Sequence, residues 1–249
     1  MTTDTIVAIQ DGVMRITMNR PDKKNALTGS MYDAMTAAME KADASDDVRA
    51  IVLEGSGGSF TAGNDLADFL ATATRGAESR AFPFIRKIAL LDTPIIAAVD
   101  GVAVGVGTTL LFHCDLVYAT PAAKFRMPFV DLGLLPEAGS SLLAPARLGM
   151  AKASEYILMA EAFGPQDARD LGLVNAIVEP AFLGETAMNA ARKLAAKPAG
   201  ALREARRLMR GDRKELEAAM ERESAAFARA LKSPEAKAAF EAFLNRAKG

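Results

Sequence analysis

The stretch Pro94-Ile95-Ile96-Ala97-Ala98-Val99-Asp100-Gly101-Val102-Ala103-Val104-Gly105-Val106-Gly107-Thr108-Thr109 decides the architecture. Six residues without a charge read as a strand buried on both faces, and Asp100-Gly101 ends it. The glycines after it lead into a helical pattern from Val106 to His113. An earlier segment repeats the logic: Ala50-Ile51-Val52-Leu53 is a buried strand, Gly55-Ser56-Gly57-Gly58 a loop, and Phe60-Thr61-Ala62-Gly63-Asn64-Asp65-Leu66 the approach to another helix. Strands alternating with helices predict an α/β fold with parallel pairing.

Outward from these junctions the pattern continues. Ile6 to Gln10 and Met14 to Met18 flank Asp11-Gly12, which predicts a hairpin. Thr28 opens a helix through Ala42, with Met31, Met35 and Met39 along one face. Further strands are expected at Asp115 to Tyr118 and Val174 to Val178. From Ser140 the chain is mostly Ala-, Leu-, Arg- and Glu-rich helix, broken near Gly164-Pro165, Pro180, Pro198, Gly211 and Pro234. The least readable stretch, Ala71 to Ser79, looks mobile.

Bulk properties narrow the classes. The 249 residues are 50% hydrophobic, enough for a substantial core, and 30 Lys and Arg oppose 31 Asp and Glu, so no global charge favours nucleic acid or a membrane surface. The balance is uneven, because residues 191–249 hold 15 Lys and Arg against 8 Asp and Glu. A single cysteine, Cys114, rules out an intramolecular disulfide framework, and the first residues resemble no signal peptide; a cytoplasmic location without membrane insertion is expected.

Common cofactor motifs are missing. Gly101, Gly105 and Gly107 would need a further glycine at position 110 to resemble a dinucleotide loop, and Leu110 stands there. The single histidine, His113, cannot form a His-pair metal site, and no metal is expected; it reads as a satisfied structural residue or as a partner of a helix C-terminal dipole. The neighbouring Cys114 would point about 100° away on a helix, which disfavours a catalytic pair.

The two junctions are more informative. The first amides of a helix lack intrahelical partners and face a positive dipole end, so a strand-to-helix turn can hold a developing oxyanion. The same glycines also suit ordinary tight turns, with Asp65 as a cap. Downstream, Leu132-Gly133-Leu134-Leu135-Pro136-Glu137-Ala138-Gly139-Ser140-Ser141 sets one carboxylate among apolar and small residues. Glu137 can be read as a helix-start charge beside Pro136 or as a base aimed into a pocket.

Four segments in order, Arg20 to Leu27 (R-P-x-x-x-N-A-L), Ala62 to Leu66 (AGNDL), Asp100 to Ala119 and Phe125 to Ser141, resemble the crotonase, or enoyl-CoA hydratase/isomerase, superfamily over essentially the whole chain. The resemblance implies a spiral of repeated ββα units over residues 1–195 and a C-terminal helical region, residues 196–249, that serves assembly as a homotrimer or a dimer of trimers. It implies an acyl-CoA thioester as substrate, with coenzyme A carried by the substrate and no separate cofactor. The thioester oxygen would be held by the backbone N–H groups of Asn64 and Val106. Glycine is usual at the latter position, so Val106 would narrow the pocket while leaving its amide as a donor.

The same resemblance bears on the reaction. Where hydratases of the family carry two glutamates, this chain has Thr109 and Phe129. The PE of Pro136-Glu137 and the small residues after it resemble the monofunctional delta(3)-delta(2)-enoyl-CoA isomerases, which implies that Glu137 moves a proton from C2 to C4. Leu134, Leu135, Phe129 and Val106 would raise its pKa. Lys24, Asn25, Ala26, Ala62, Gly63, Asn64, Asp65 and Leu66 would face the coenzyme A moiety, Arg246 its phosphates, and Phe69, Phe82, Phe129 and Leu132 the acyl chain. Two alternatives stand beside this: a hydratase or other crotonase reaction using Asp68 or Asp131, and an inactive acyl-CoA-binding protein.

Overall fold

The computed structural model describes residues 4–69 and 79–246, with side chains to residue 242. Most of Ala71 to Ser79 therefore lies outside the described residues, as does the side chain of Arg246. The strands are β1 (Thr5–Gln10), β2 (Val13–Met18), β3 (Ala50–Gly55), β4 (Ile95–Val99), β5 (Val102–Val104), β6 (Leu116–Ala119), β7 (Lys124–Arg126) and β8 (Ala176–Ile177). The helices are α1 (Gly29–Ala44), α2 (Ala81–Leu90), α3 (Val106–Thr109), α4 (Ser140–Leu148), α5 (Met150–Leu158), α6 (Pro165–Asp170), α7 (Pro180–Ala195), α8 (Ala199–Arg210), α9 (Arg213–Ala230) and α10 (Pro234–Arg246).

The main sheet runs β1-β2-β3-β4-β6-β8, with β1 antiparallel to β2 and every other pair parallel. The β1-β2 turn falls at Asp11-Gly12, both residues having positive φ. Both faces of the sheet are covered, which is why its central strands read as unbroken apolar runs. Val13, Ala50, Val52, Ile96 and Ala98 pack under α7 through Leu183, Ala187 and Ala191. Met14, Ile16, Ile51, Leu53, Ile95 and Ala97 point the other way, into the main core, where they meet Met31, Met35 and Met39 of α1. Thr28 caps α1 by accepting from the Met31 amide, so the expected helix is present with Thr28 just outside it.

A second layer is built from the segments that leave the central strands. Leu27 pairs with Asn64, Thr61 with Ala103, β5 with β7, and Phe125 with Phe163. A chain that leaves the first sheet, adds a short strand to this second layer and returns through a helix repeats a ββα unit. Both named strands of this layer, β5 and β7, are three residues long, too short for a periodic signal, so the sequence pattern alone does not reveal it. Helix α2 is likewise absent from the expected elements, although Phe84, Ile85 and Ile88 are buried on it.

The C-terminal helices pack onto this body. Met220 and Phe227 of α9 and Ala236 and Phe240 of α10 belong to the main core. Arg206 and Arg210 reach Asp115 at 2.7 and 3.0 Å, and Arg207 and Arg213 reach Asp92 at 2.8 and 2.5 Å. Four cations of the basic region are thus taken by carboxylates of the chain itself. Among the described residues no helix is long and apolar enough to cross a membrane.

Candidate active site

Glu137 does not begin a helix. Helix α4 starts at Ser140, after Ala138 and Gly139 at φ 61° and 69°. The expectation that Pro136 opens the helix and Glu137 satisfies its dipole is therefore corrected: two left-handed residues place Glu137 in a turn ahead of it. The acid that serves the helix start is Glu223 of α9, whose carboxylate accepts from the Gly139 amide at 2.6 Å, the Ser141 amide at 2.8 Å and the Ser141 hydroxyl at 2.5 Å. Local sequence could not reveal this, since 82 residues separate Glu223 from Ser141.

Freed from a capping role, the Glu137 side chain is buried, with 6% of its surface exposed. One carboxylate oxygen accepts from the Thr109 hydroxyl. The other, Oε2, is buried without a hydrogen-bond partner. Burial pushes the carboxyl up to about 8; the Thr109 bond pulls the other way, and the negative charge of Glu223 adds to the rise. That oxygen has no partner within the protein, so its hydrogen-bonding capacity is available to a group entering the cavity.

The turn is braced on several sides. The Ser140 amide and hydroxyl donate to the Glu137 carbonyl at 3.0 and 2.6 Å. His113 Nε2 donates to the Ala138 carbonyl at 2.7 Å. Burial lowers the His113 pKa to about 4, so it acts as a neutral donor. It acts as a structural donor to the turn, with burial disfavouring its charged form. Burial pushes the Cys114 thiol up to about 12, which leaves it protonated and a poor nucleophile.

The two junctions meet Glu137 at one cavity, lined by Asn64, Val106 and Glu137 together with Phe69, Phe82, Ile85 and Phe227. The parallel bridge at Asn64 is made by its neighbours: Leu27 N–H donates to Gly63 O and Asp65 N–H to Leu27 O, both at 2.8 Å. The intervening Asn64 amide is turned away from Leu27. At the second junction the Gly105 amide donates to Arg126 O and those of Thr108 and Thr109 to Gly105 O, leaving Val106 at the free start of α3. Gly63 is required where it stands: at φ +87°, an added Cβ would lie 2.7 Å from the Val104 carbonyl oxygen. Tyr32, buried and in the field of Glu137, donates its hydroxyl to Asn64 Oδ1 at 2.6 Å and so fixes that side chain.

Other candidates fall differently. Phe69 and Phe82 line the cavity, whereas Phe129 and Leu132 do not; Phe129 is buried in the main core. Leu135 is 37% exposed and contributes little to the dry surroundings of Glu137. Asp131 pairs with Arg126 at 2.8 Å on the surface, and Asp68 accepts from the Gly29 amide at 2.8 Å. Lys24 is exposed with its carbonyl accepting from the Ala62 amide, and the Ala26 carbonyl accepts from Arg20. Asp65 caps the helical turn at residues 66–69 and pairs with Arg20 at 3.0 Å, while Leu66 is partly buried. Asn25 is internal: its side chain accepts from the Arg20 amide and donates to the carbonyls of Ser56 and Ser59, tying the two loops together.

The profile of the enoyl-CoA hydratase/isomerase family matches residues 8–249. The chain belongs to that family. An enoyl-CoA hydratase/isomerase from Pseudoalteromonas atlantica superposes with a TM-score of 0.93 at 37% identity, covering 98% of each chain. The short-chain-enoyl-CoA hydratase of Clostridium acetobutylicum is 31% identical over 100% of this chain and 97% of its own length. Enoyl-CoA delta isomerase 2 of Rattus norvegicus is 34% identical over 84% of this chain and 55% of its own length, so the chain spans about half of that relative. Relatives named as hydratases and relatives named as isomerases both match this chain.

Proposed function

We propose that the protein is an acyl-CoA isomerase that moves a double bond from the 3,4 to the 2,3 position. The observation carrying this reading is Glu137: a buried carboxylate with one oxygen unpaired, lining the cavity with the Asn64 and Val106 junctions. The thioester oxygen would accept from those two amides. Removal of a C2 proton by Glu137 Oε2 leaves the C–H electron pair in a dienolate whose charge gathers on that oxygen, where two preorganised donors lower the barrier by several kcal/mol. Return of the same proton from Glu137 to C4 moves the double bond. A carboxyl raised to about 8 suits both steps, since its protonated form is a competent acid near neutral pH.

The position of Thr109 supports isomerisation over hydration. Its hydroxyl is spent on Glu137 and cannot serve as the second carboxylate that a hydratase would use on water. Among the described residues, Glu137 is the sole carboxylate lining the cavity. The residues flanking the first junction, with Lys24 and Ala26, are proposed to meet the coenzyme A moiety.

Incubation with a 3-enoyl-CoA, followed by absorbance of the conjugated thioester and by chromatography for 3-hydroxyacyl-CoA, tests the proposal. Conjugated product without hydration is expected, and Glu137→Gln should lower kcat by about 10²- to 10⁴-fold. Hydrated product in excess, or turnover untouched by Glu137→Gln, rejects it.

A further inference from the structure

The turn that carries Glu137 is held from a distance. Its Ala138 and Gly139 backbone is left-handed, an uncommon state for alanine that surrounding bonds must enforce. Three of those bonds end on one carboxylate, that of Glu223, which accepts from Gly139 N–H, Ser141 N–H and Ser141 Oγ. Both Glu223 oxygens accept, the pattern of an ionised carboxylate, and only 7% of the residue is exposed. Leu216 and Met220, on the same helix, pack against the Gly139 turn.

We propose that Glu223 is the positioning residue of the base: it ties residues 137–141 to helix α9 and stands as a fixed negative charge beside Glu137. This rests on Glu137 being the residue that exchanges a proton with the substrate. One side chain then has two effects. Geometrically, the Oε2 atom is presented at a constant place in the cavity. Electrostatically, a neighbouring anion opposes ionisation of Glu137, so the proton taken from C2 is held well enough to be delivered to C4.

The other ionisable groups around Glu137 do not duplicate this. Tyr32 from α1 is held neutral by burial, with its proton on the bond to Asn64. His113, at the Ala138 carbonyl, is held neutral by burial, and the charges of Arg210, Arg147 and Arg206 act against its protonation. Thr109 favours the ionised form of Glu137, opposite in sign to Glu223. Among the described residues, Glu223 is the charged group that adds to the rise burial gives it.

The test is a titration of Glu137 by carbon NMR on protein labelled at glutamate carboxyls, the signal assigned by its loss in Glu137→Gln. Wild type should titrate near the value of about 8 set by its surroundings. In Glu223→Gln, which keeps an acceptor oxygen and removes the charge, the midpoint should fall by on the order of one pH unit. The acid limb of kcat/KM for a 3-enoyl-CoA should move down with it, and kcat should fall while KM changes little. A Glu223 that merely stabilised the fold would lower the unfolding midpoint and leave the Glu137 titration in place; that result overturns the proposal. If Glu223→Gln does not fold, Ser141→Ala, which loosens the tie of the turn to Glu223 and leaves its charge in place, should lower kcat with KM and the Glu137 midpoint little changed, and an unchanged kcat there rejects the positioning role. A shifted titration in a protein that never converts 3-enoyl-CoA retains the Glu223–Glu137 coupling and rejects only the isomerase reading.

Discussion

Glu137 shows how far burial can move an ordinary carboxyl. The native state holds a proton on it up to a pH of about 8, whereas the unfolded chain releases it near the ordinary glutamate value. The native state thus binds more protons across that window, and stability falls as pH rises through it, by up to about 1.4 kcal/mol per unit. Replacement by glutamine removes this dependence. Denaturant titrations at pH 5 and pH 8 should therefore show Glu137→Gln gaining stability relative to the wild type between the two values. Equal pH dependence of the two proteins would mean that the carboxyl is not desolvated. The residue is legible in the sequence as the candidate base, but its surroundings are not. Val106 lines the pocket; Leu135 is not among its walls, and Phe227, contributed by α9, is.

Among the elements, the two strand-to-helix junctions are read most directly from sequence, because a buried apolar run before glycines imposes backbone geometry locally. Gly63 carries this furthest, since a side chain there is refused both by φ and by the Val104 carbonyl. Gly63→Ala should cost about 1 to 3 kcal/mol of stability and shift the Asn64 amide. Calorimetry and the kcat of the variant check this, and a variant as stable and active as the wild type would show that the junction tolerates a side chain. Element boundaries are legible where a cap or paired apolar faces mark them, as at Thr28 and along Met31, Met35 and Met39. They are not legible at Pro136-Glu137, where a proline and an acid imitate a helix start that the chain reaches only at Ser140. The imitation fails because Glu223, not a local side chain, satisfies the amides of that turn.

For the molecule as a whole, the C-terminal helices complete the cavity. Phe227 on α9 meets the rings of Phe69 and Phe82 edge-on, at centroid distances of 6.2 and 5.8 Å, and closes one wall. Truncation to alanine removes a buried ring that links three segments. Phe227→Ala should lose about 3 to 5 kcal/mol in denaturant unfolding, with an acyl-chain preference shifted toward bulkier substrates. A loss below about 1 kcal/mol would show that α9 packs independently of the core. Folding also redirects the basic tail: Arg206, Arg207, Arg210 and Arg213 are drawn onto Asp92 and Asp115 at the edge of the body, a use that a count of charges does not distinguish from solvation.

The parallel α/β body and the two glycine-bearing junctions are written in the amino-acid pattern, because apolar runs and glycines act through local geometry, whereas Glu137 stands out as the candidate base through the family resemblance, which sets Thr109 and Phe129 where hydratases carry glutamate. Tertiary packing was needed to put Glu137 in a left-handed turn rather than a helix, to set Thr109 and Glu223 pulling its pKa in opposite directions, and to bring Phe227 to its cavity. Those outcomes depend on side chains far apart in the chain being desolvated together, Thr109 28 residues before Glu137 and Phe227 a whole set of helices after it, and no local pattern encodes such a contact.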